Sequence, residues 1–316
     1  MLINVLLVLV VAAMAGFFGW LTRRASLVGN PFIKWIGIIL AGLLTLIVGL
    51  VAVVAAIGLV KYYTPPSHPV QELKVEGTPE QIARGQHLAA AFCAGCHSTT
   101  ADFPLTGGVD MGADLPMPLG QYVSVNLTPA GPLKDWTDGE IFRAIRDNVD
   151  KDGNRLVFMT NTNVRRISDD DVHAIIAFLR SQQPVEHATL TPPDHPTLLA
   201  FILTGAGIIP TPPPVEGPIV APPIAPTAEY GKFMVRFLDC TNCHGADLSG
   251  GTSSFAPNGP SLRVVKSWTA EQFIATLRTG RDPDGQELKP PMPWKPTGRL
   301  DDVELTALYE YLVSLP

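Results

Sequence analysis

Acidic residues are missing from the first 63 positions, and only four of the chain's 23 basic side chains lie there. The rest of the chain therefore carries 29 acidic and 19 basic side chains, a formal charge of −10. Because binding to phosphates requires a basic face, this balance argues against a nucleic-acid-binding protein. An acidic soluble part is suited to a basic partner surface, although charge that only keeps the domain soluble explains the composition as well.

Charged residues are also missing from two long apolar stretches, about Leu2–Leu21 and Trp35–Val60. Each is long enough for a helix to cross a hydrocarbon core of roughly 30 Å. Arg23, Arg24 and Lys34 lie between them, and the positive-inside rule places this connection in the cytoplasm. The sequence thus predicts a helical hairpin in a bacterial cytoplasmic membrane, with everything after it on the periplasmic or extracellular side. A cleaved signal peptide is the alternative for the first stretch, which lacks a basic start and a clear cleavage site.

Cysteine is scarce, and all four cysteines belong to two copies of one motif. Residues 93–97 and 240–244 both read C-x-x-C-H, the attachment signature of c-type haem. Two intervening residues let a helical turn bring both thiols to the vinyl groups of one porphyrin, and the next residue reaches the iron as the proximal ligand. The motifs therefore predict two covalently bound haem c groups, whereas two disulfides or a zinc site are the alternatives. The residues predicted to bind them are Cys93, Cys96 and His97 in the first motif and Cys240, Cys243 and His244 in the second.

An internal repeat predicts the second iron ligand, which is usually methionine in electron carriers. After each motif come a capped amphipathic helix, an Asp-Gly pair, a methionine and a terminal amphipathic helix. The two methionines are Met159 and Met292, and Met292 lies in a stiff Pro-Pro-Met-Pro loop. Met111 and Met117 are loop alternatives to Met159. Ligation by a second histidine is the other alternative.

This order of elements predicts an all-α protein, with two tandem cytochrome c domains preceded by a transmembrane helical hairpin. In each domain we expect the first and last helices to cross. The Pro-rich linker favours an extended, stiff chain. It contains an apolar run, Leu198–Ile209, that is too short to span a bilayer. This run is expected to pack between the domains, or else to touch the membrane surface or a partner subunit. The predicted segments are the anchor 1–63, a linker 64–78, the first domain 79–183, the Pro-rich linker 184–227 and the second domain 228–316.

Several short patterns in the first half are shared with a known family. Arg84-Gly85 precedes the first motif, and Gly107-Gly108 and Asn126-Leu127-Thr128-Pro129 follow it. With these patterns, both halves resemble the multi-haem cytochrome c subunits of bacterial membrane-bound alcohol, aldehyde and sugar-acid dehydrogenases. The resemblance covers about residues 79–185 and 228–316, and it implies an electron-carrying subunit of a larger complex. That family normally has three haems, whereas this chain has two motifs.

Together these features predict a membrane-anchored di-haem cytochrome that relays single electrons within a respiratory or photosynthetic oxidoreductase complex. The expected donor is a quinol-oxidising or dehydrogenase subunit, and the expected acceptor is a soluble cytochrome, a cupredoxin or a terminal oxidase. The chain is not expected to be an enzyme on its own, since no substrate-processing constellation accompanies the haem motifs. One alternative is a peroxidase-like or thiosulfate-oxidising di-haem enzyme with a displaceable distal ligand. Another is a non-redox role, in which the hairpin serves the assembly of a large complex.

Overall fold

A computed structural model describes residues 1–189, 194–252 and 257–316, and the all-α fold class is confirmed. Two short antiparallel strands, β1 and β2, pair Gly120 with Pro196 and Tyr122 with Asp194. The elements in chain order are α1 (Leu2–Ser26), α2 (Pro31–Tyr63), α3 (Pro79–Phe92), α4 (Ala94–His97), β1 (Gly120–Tyr122), α5 (Asp138–Asp147), α6 (Asp169–Ser181), β2 (Asp194–Pro196), α7 (Leu198–Gly205), α8 (Ala228–Val235), α9 (Cys240–His244), α10 (Ala270–Thr279), α11 (Trp294–Thr297) and α12 (Asp302–Ser314).

The hairpin consists of α1 and α2, which pack against each other and are both long and apolar enough to cross a membrane. Both helices extend beyond the apolar stretches. Helix α1 includes Arg23 and Arg24 in its last turn, where positive charge complements the helix dipole. Helix α2 begins at Pro31, because the Asn30 side chain accepts hydrogen bonds from the first backbone N–H groups.

The first and last helices of each cytochrome-like half cross, as the sequence predicts. Helix α3 packs on α6, and α8 packs on α12. A glycine lies at each crossing. A Cβ atom on Gly85 would lie 1.8 Å from the Ala174 carbonyl oxygen, and one on Gly231 would lie 1.9 Å from that of Ala307. Any larger residue would force the helices apart, so Gly85 and Gly231 set the same close packing in both halves.

The loops after α5 and α10 confirm the internal repeat in their backbone hydrogen bonds. Both helices end at a residue in the left-handed region, Asn148 with φ 58° and Gly280 with φ 71°. The Leu156 N–H then donates to the Asn148 carbonyl, and the Leu288 N–H donates to the Gly280 carbonyl, both at 2.8 Å. The two loops therefore leave their helices in the same way, and a methionine follows each of them, Met159 and Met292.

The Pro-rich segment 184–227, of which 190–193 lie outside the described residues, is docked on the rest of the molecule. Its strand β2 pairs with β1, and its helix α7 packs against α2. Beyond α7 the guanidinium groups of Arg155 and Arg165 donate to the carbonyls of Pro210 and Pro213. Residues 210–227 form no helix or strand and contain bends at 217 and 224–227. The apolar run forms a helix, because it buries side chains against α2.

A buried polar cluster joins the two halves. Arg84 on α3 donates to Asp171 at 2.8 Å within its own half and to Glu304 on α12 at 2.6 Å in the other. His87, one turn along α3, lies 2.6 Å from the second oxygen of Glu304. The Tyr230 hydroxyl accepts from Arg84 at 3.3 Å. The Glu304 carboxylate is therefore held by two side chains of the opposite half, Arg84 and His87.

Candidate haem-binding sites

The first C-x-x-C-H motif lies where α3 ends and the short turn α4 begins. Cys93, Cys96 and His97 line one cavity of about 320 Å³, and Met159 lines it as well. This volume lies within the range of about 300–1,000 Å³ that small-molecule sites occupy. The rest of the lining is almost entirely apolar, as a porphyrin plane requires. The predicted residues of the first motif and its methionine are therefore brought together in a cavity that fits a haem.

The orientation of His97 is set by a backbone hydrogen bond. Its Nδ1 lies 3.0 Å from the Val125 carbonyl oxygen, which can only accept, so Nδ1 carries the proton. Nε2 is then the atom left for a metal, and a donor bond from Nδ1 is how ligating histidines are usually held. Burial lowers the pKa of His97, which keeps the ring neutral as a ligand must be.

Two methionines lie at the first cavity. Met159 begins a 3₁₀ turn, Met159–Asn161, on its wall, and Met111 also lines it. Met117 lies outside this lining and is 44% exposed. The structure thus keeps Met159 as the predicted distal ligand with Met111 as its neighbour, and it gives Met117 no place in the cavity.

Two further lining residues were not foreseen from the sequence, Tyr122 and Asp194. The pairing of β1 with β2 places them opposite each other, 72 positions apart in the chain. The Asp194 carboxylate accepts a hydrogen bond from the Tyr62 hydroxyl at 3.2 Å, and Tyr62 is in the last turn of α2. Burial raises the pKa of Asp194 to about 6. One end of the first cavity therefore adjoins the end of the apolar hairpin.

The second motif repeats this arrangement on α9. The His244 ring is 7% exposed, and its Nδ1 donates to the Pro260 carbonyl at 2.7 Å, so Nε2 is again left for a metal. Gly259 packs against this ring so closely that a Cβ there would lie 2.6 Å from Nδ1. Cys240 and Met292 both pack against the hydrophobic core. Residues 253–256, which follow the motif, lie outside the described residues.

The glycine pairs after the two motifs act alike. The Gly107 N–H donates to the His97 carbonyl, and the Gly250 N–H donates to the His244 carbonyl, both at 2.8 Å. Both glycines have positive φ, 69° and 120°, which side-chain-bearing residues rarely adopt. These turns fold the following loop back over the histidine. The glycine pair is therefore the sequence signal for the turn that follows each histidine.

The thiols do not behave like redox-active or zinc-binding cysteines. All four are free of disulfides. Burial raises the pKa of Cys93 to about 12 and that of Cys240 to about 12, whereas reactive and metal-binding thiols need a lowered pKa. The described residues that group at metal-binding distance are His87, Asp301 and Glu304, and this group contains no cysteine.

The two sites approach each other through a pair of aromatic rings. Phe92 lines the first cavity and directly precedes Cys93. Its ring meets that of Phe237 edge-on, with centroids 5.7 Å apart, and Phe237 lies three residues before Cys240. A further contact is made by Asn163, whose N–H donates to Asp239 at 2.9 Å. The segments that lead into the two motifs are thus in direct contact.

The family model of cytochrome c matches residues 82–183 and 228–316, which is more than half of the chain. This chain belongs to the cytochrome c family. Membership implies covalently bound haem c, and the matched residues contain both C-x-x-C-H motifs.

Curated relatives of this cytochrome are components of dehydrogenases, so the resemblance drawn from the sequence is confirmed. The cytochrome subunit of fructose dehydrogenase from Gluconobacter japonicus is 31% identical over 132 residues, covering 37% of this chain and 27% of the relative. The cytochrome c subunit of a quinone alcohol dehydrogenase from Gluconobacter oxydans is 26% identical over 232 residues, covering 63% of this chain and 47% of the relative. A component of nicotinate dehydrogenase from Pseudomonas putida is 34% identical over 108 residues, covering 33% of this chain and 9% of the relative. The chain thus spans less than half the length of each of these relatives.

Proposed function

We propose that this cytochrome c carries two haem c groups, one in each of the domains 79–183 and 228–316, and relays single electrons as a subunit of a membrane-bound dehydrogenase complex. The observation that carries the proposal is that both motifs are built alike. In each, the histidine of the motif donates through Nδ1 to a backbone carbonyl, 3.0 Å away for His97 and 2.7 Å for His244.

Haem bound at these sites supplies one-electron chemistry, and the protein sets its ligands and access. The ligands that we propose are His97 with Met159 and His244 with Met292. Thioether sulfur from methionine raises the potential of a haem iron, which suits a carrier that accepts electrons from a dehydrogenase. Cys93 and Cys96 attach the first porphyrin, and Cys240 and Cys243 attach the second.

The helical hairpin of residues 1–63 anchors this relay. Both helices are apolar and long enough to span, and Arg23, Arg24 and Lys34 favour a cytoplasmic connection. The haem domains then lie on the periplasmic side of a bacterial cytoplasmic membrane. Holding the carrier at the membrane raises its effective concentration near membrane partners. The names of the relatives support a dehydrogenase as the donor, and a soluble cytochrome, a cupredoxin or a terminal oxidase is proposed as the acceptor.

The haem count tests this proposal directly. The full chain is produced in a host that matures c-type cytochromes, and intact mass and the pyridine haemochrome spectrum are measured. We expect two haems per chain, and one after the double substitution Cys93→Ala and Cys96→Ala or after the matched pair Cys240→Ala and Cys243→Ala. A mature chain with one haem or none would refute the two-haem relay.

The alternative, a di-haem enzyme with an open distal position, predicts a different spectrum. An electron relay with two methionine-ligated irons is low-spin in both oxidation states. A high-spin component in the reduced protein, together with fast oxidation by hydrogen peroxide, would favour the enzyme and count against the relay.

A further inference from the structure

Helix α7 and the turn after it form an apolar unit attached to the membrane hairpin. The run Leu198–Ile209 contains no charged residue. Helix α7 packs on α2 through two glycines, with almost no space between the backbones. A Cβ on Gly58 would lie 1.8 Å from the Phe201 carbonyl oxygen, and one on Gly205 would lie 1.9 Å from that of Val54. The helix crossings at Gly85 and Gly231 in the cytochrome domains are equally close, and small residues let helices within membranes meet in the same way.

The contacts also give the direction of α7. Phe201 packs edge-on against Tyr62, with ring centroids 5.7 Å apart, whereas Gly205 reaches Val54. Val54 precedes Tyr62 by eight residues, which at 1.5 Å per residue is about 12 Å along α2. Helix α7 therefore descends alongside α2, away from the cytochrome domain and toward the middle of the apolar span.

The backbone at the lower end of α7 is suited to lipid. Every polar backbone group needs a partner where water is absent. The N–H of Ala206 donates to Ile202, that of Gly207 to Thr204, and those of Ile208 and Ile209 to Leu203, at 2.9 to 3.2 Å. The next residue is a proline, which has no N–H. The whole turn thus keeps its donors satisfied without water.

The side chains at this depth are exposed and apolar. Ile208 is 66% exposed, and on the adjacent stretch of α2 Leu50 is 65% and Val53 58% exposed. Val53 directly precedes Val54, which Gly205 of α7 contacts, so these exposed side chains of α2 lie on the stretch that α7 adjoins. The Lys61 ammonium on α2 donates to the Thr204 carbonyl on α7 at 3.4 Å, which adds a polar contact between the two helices.

We infer that residues 198–209 form a half-membrane element whose exposed face is covered by lipid acyl chains of the outer leaflet. The inference rests on the proposed anchoring by the hairpin. It gives the first cytochrome domain a second attachment to the bilayer, because Asp194, which lines the first cavity, lies four residues before α7. Of the two cytochrome domains, the first is therefore the one that faces the membrane.

Thiol accessibility tests this inference on the full holo-protein in lipid nanodiscs. One cysteine is introduced at a time, Ile208→Cys or, as the matched control from the same Pro-rich segment, Val220→Cys, which is 82% exposed. A charged, membrane-excluded maleimide is the probe, and the unmodified protein gives the background. We expect the thiol at position 208 to react at least about 10-fold more slowly than that at 220, because it lies within hydrocarbon. Both should react alike after denaturation in sodium dodecyl sulfate.

Equal rates at 208 and 220 in nanodiscs that retain the protein would place α7 in water and overturn the inference, while the hairpin anchor would stand. Protein that fails to co-elute with nanodiscs would instead refute the anchor and, with it, this inference. Gly58→Leu should expel α7 and bring the thiol at 208 to the rate seen at 220. Gly49→Leu, where the nearest atom to a Cβ is 4.0 Å away, should leave it slow.

Discussion

Replacing Glu304 by glutamine tests whether its carboxylate holds the two cytochrome halves together. The side chain is 1% exposed and is bound at 2.6 Å by both Arg84 and His87. Removing one partner of a buried ion pair costs about 3–5 kcal/mol, because it leaves a charge without compensation. Arg84 keeps its pair with Asp171, so we expect the lower end of this range, about 3 kcal/mol.

The assay is thermal unfolding of the detergent-solubilised holo-protein, followed by far-ultraviolet circular dichroism. For a domain of about 60–100 residues each kcal/mol shifts Tm by about 4–8 °C, so a loss of about 3 kcal/mol predicts a decrease of roughly 12–24 °C. Glu310→Gln is the control, since Glu310 is an exposed residue of the same helix. A Tm for the Glu304 variant that matches the control would refute the view that this carboxylate joins the halves.

The contact between Glu304 and His87 predicts how the stability of the protein depends on pH. Burial acts to raise the pKa of Glu304, but the hydrogen bonds from His87 and Arg84 outweigh it and hold the pKa below its usual value. The bond to Glu304 raises the pKa of His87 above its usual value. The stability that Glu304 contributes to the folded state is lost as pH falls through its lowered pKa. The stability that His87 contributes is lost as pH rises through its raised pKa. The stability difference between wild type and Glu304→Gln should therefore be largest between these two pKa values and shrink on both sides.

The remaining predictions concern the sites themselves. Met292→Ala should lower the potential of the second haem and abolish its sulfur-to-iron absorption band, and an unchanged spectrum would show that this ligand assignment is wrong. Met159→Ala should do the same at the first haem, whereas loss of the band in Met111→Ala alone would transfer the role to Met111. Because burial raises the pKa of Asp194 to about 6, the wild type should lose up to about 3 kcal/mol of stability as pH rises from about 4 through 6. Asp194→Asn should flatten this dependence in urea titrations at several pH values, and an unaltered slope would contradict it.

Local patterns in the sequence predicted most of the helices and both haem motifs. The capped, periodic segments became α5, α6, α10 and α12, since capping and apolar spacing act within a few residues. The two apolar helices of the hairpin were predicted at the right places, but the predicted ranges were shorter than the helices. Asn30 and the arginines at the end of α1 extend the helices past the apolar residues.

Contacts between distant segments could not be predicted in this way. Asp194 enters the first cavity only because β2 pairs with β1. The carbonyls of Val125 and Pro260 accept from the histidines through loops whose path the residue types do not set. The pair of Arg84 and Glu304 joins residues 220 positions apart, and no periodic pattern relates them.

The edge-on contact of Phe92 with Phe237 has a kinetic consequence. A tethered pair of carriers ordinarily exchanges electrons at a rate limited by how often the flexible connection brings them close. Here the rings that lead into the two attachment motifs already touch, and the halves around them are locked. Exchange between the halves should therefore be a tunnelling event over a constant gap, indifferent to added glycerol or to the length of the polypeptide between residues 184 and 227.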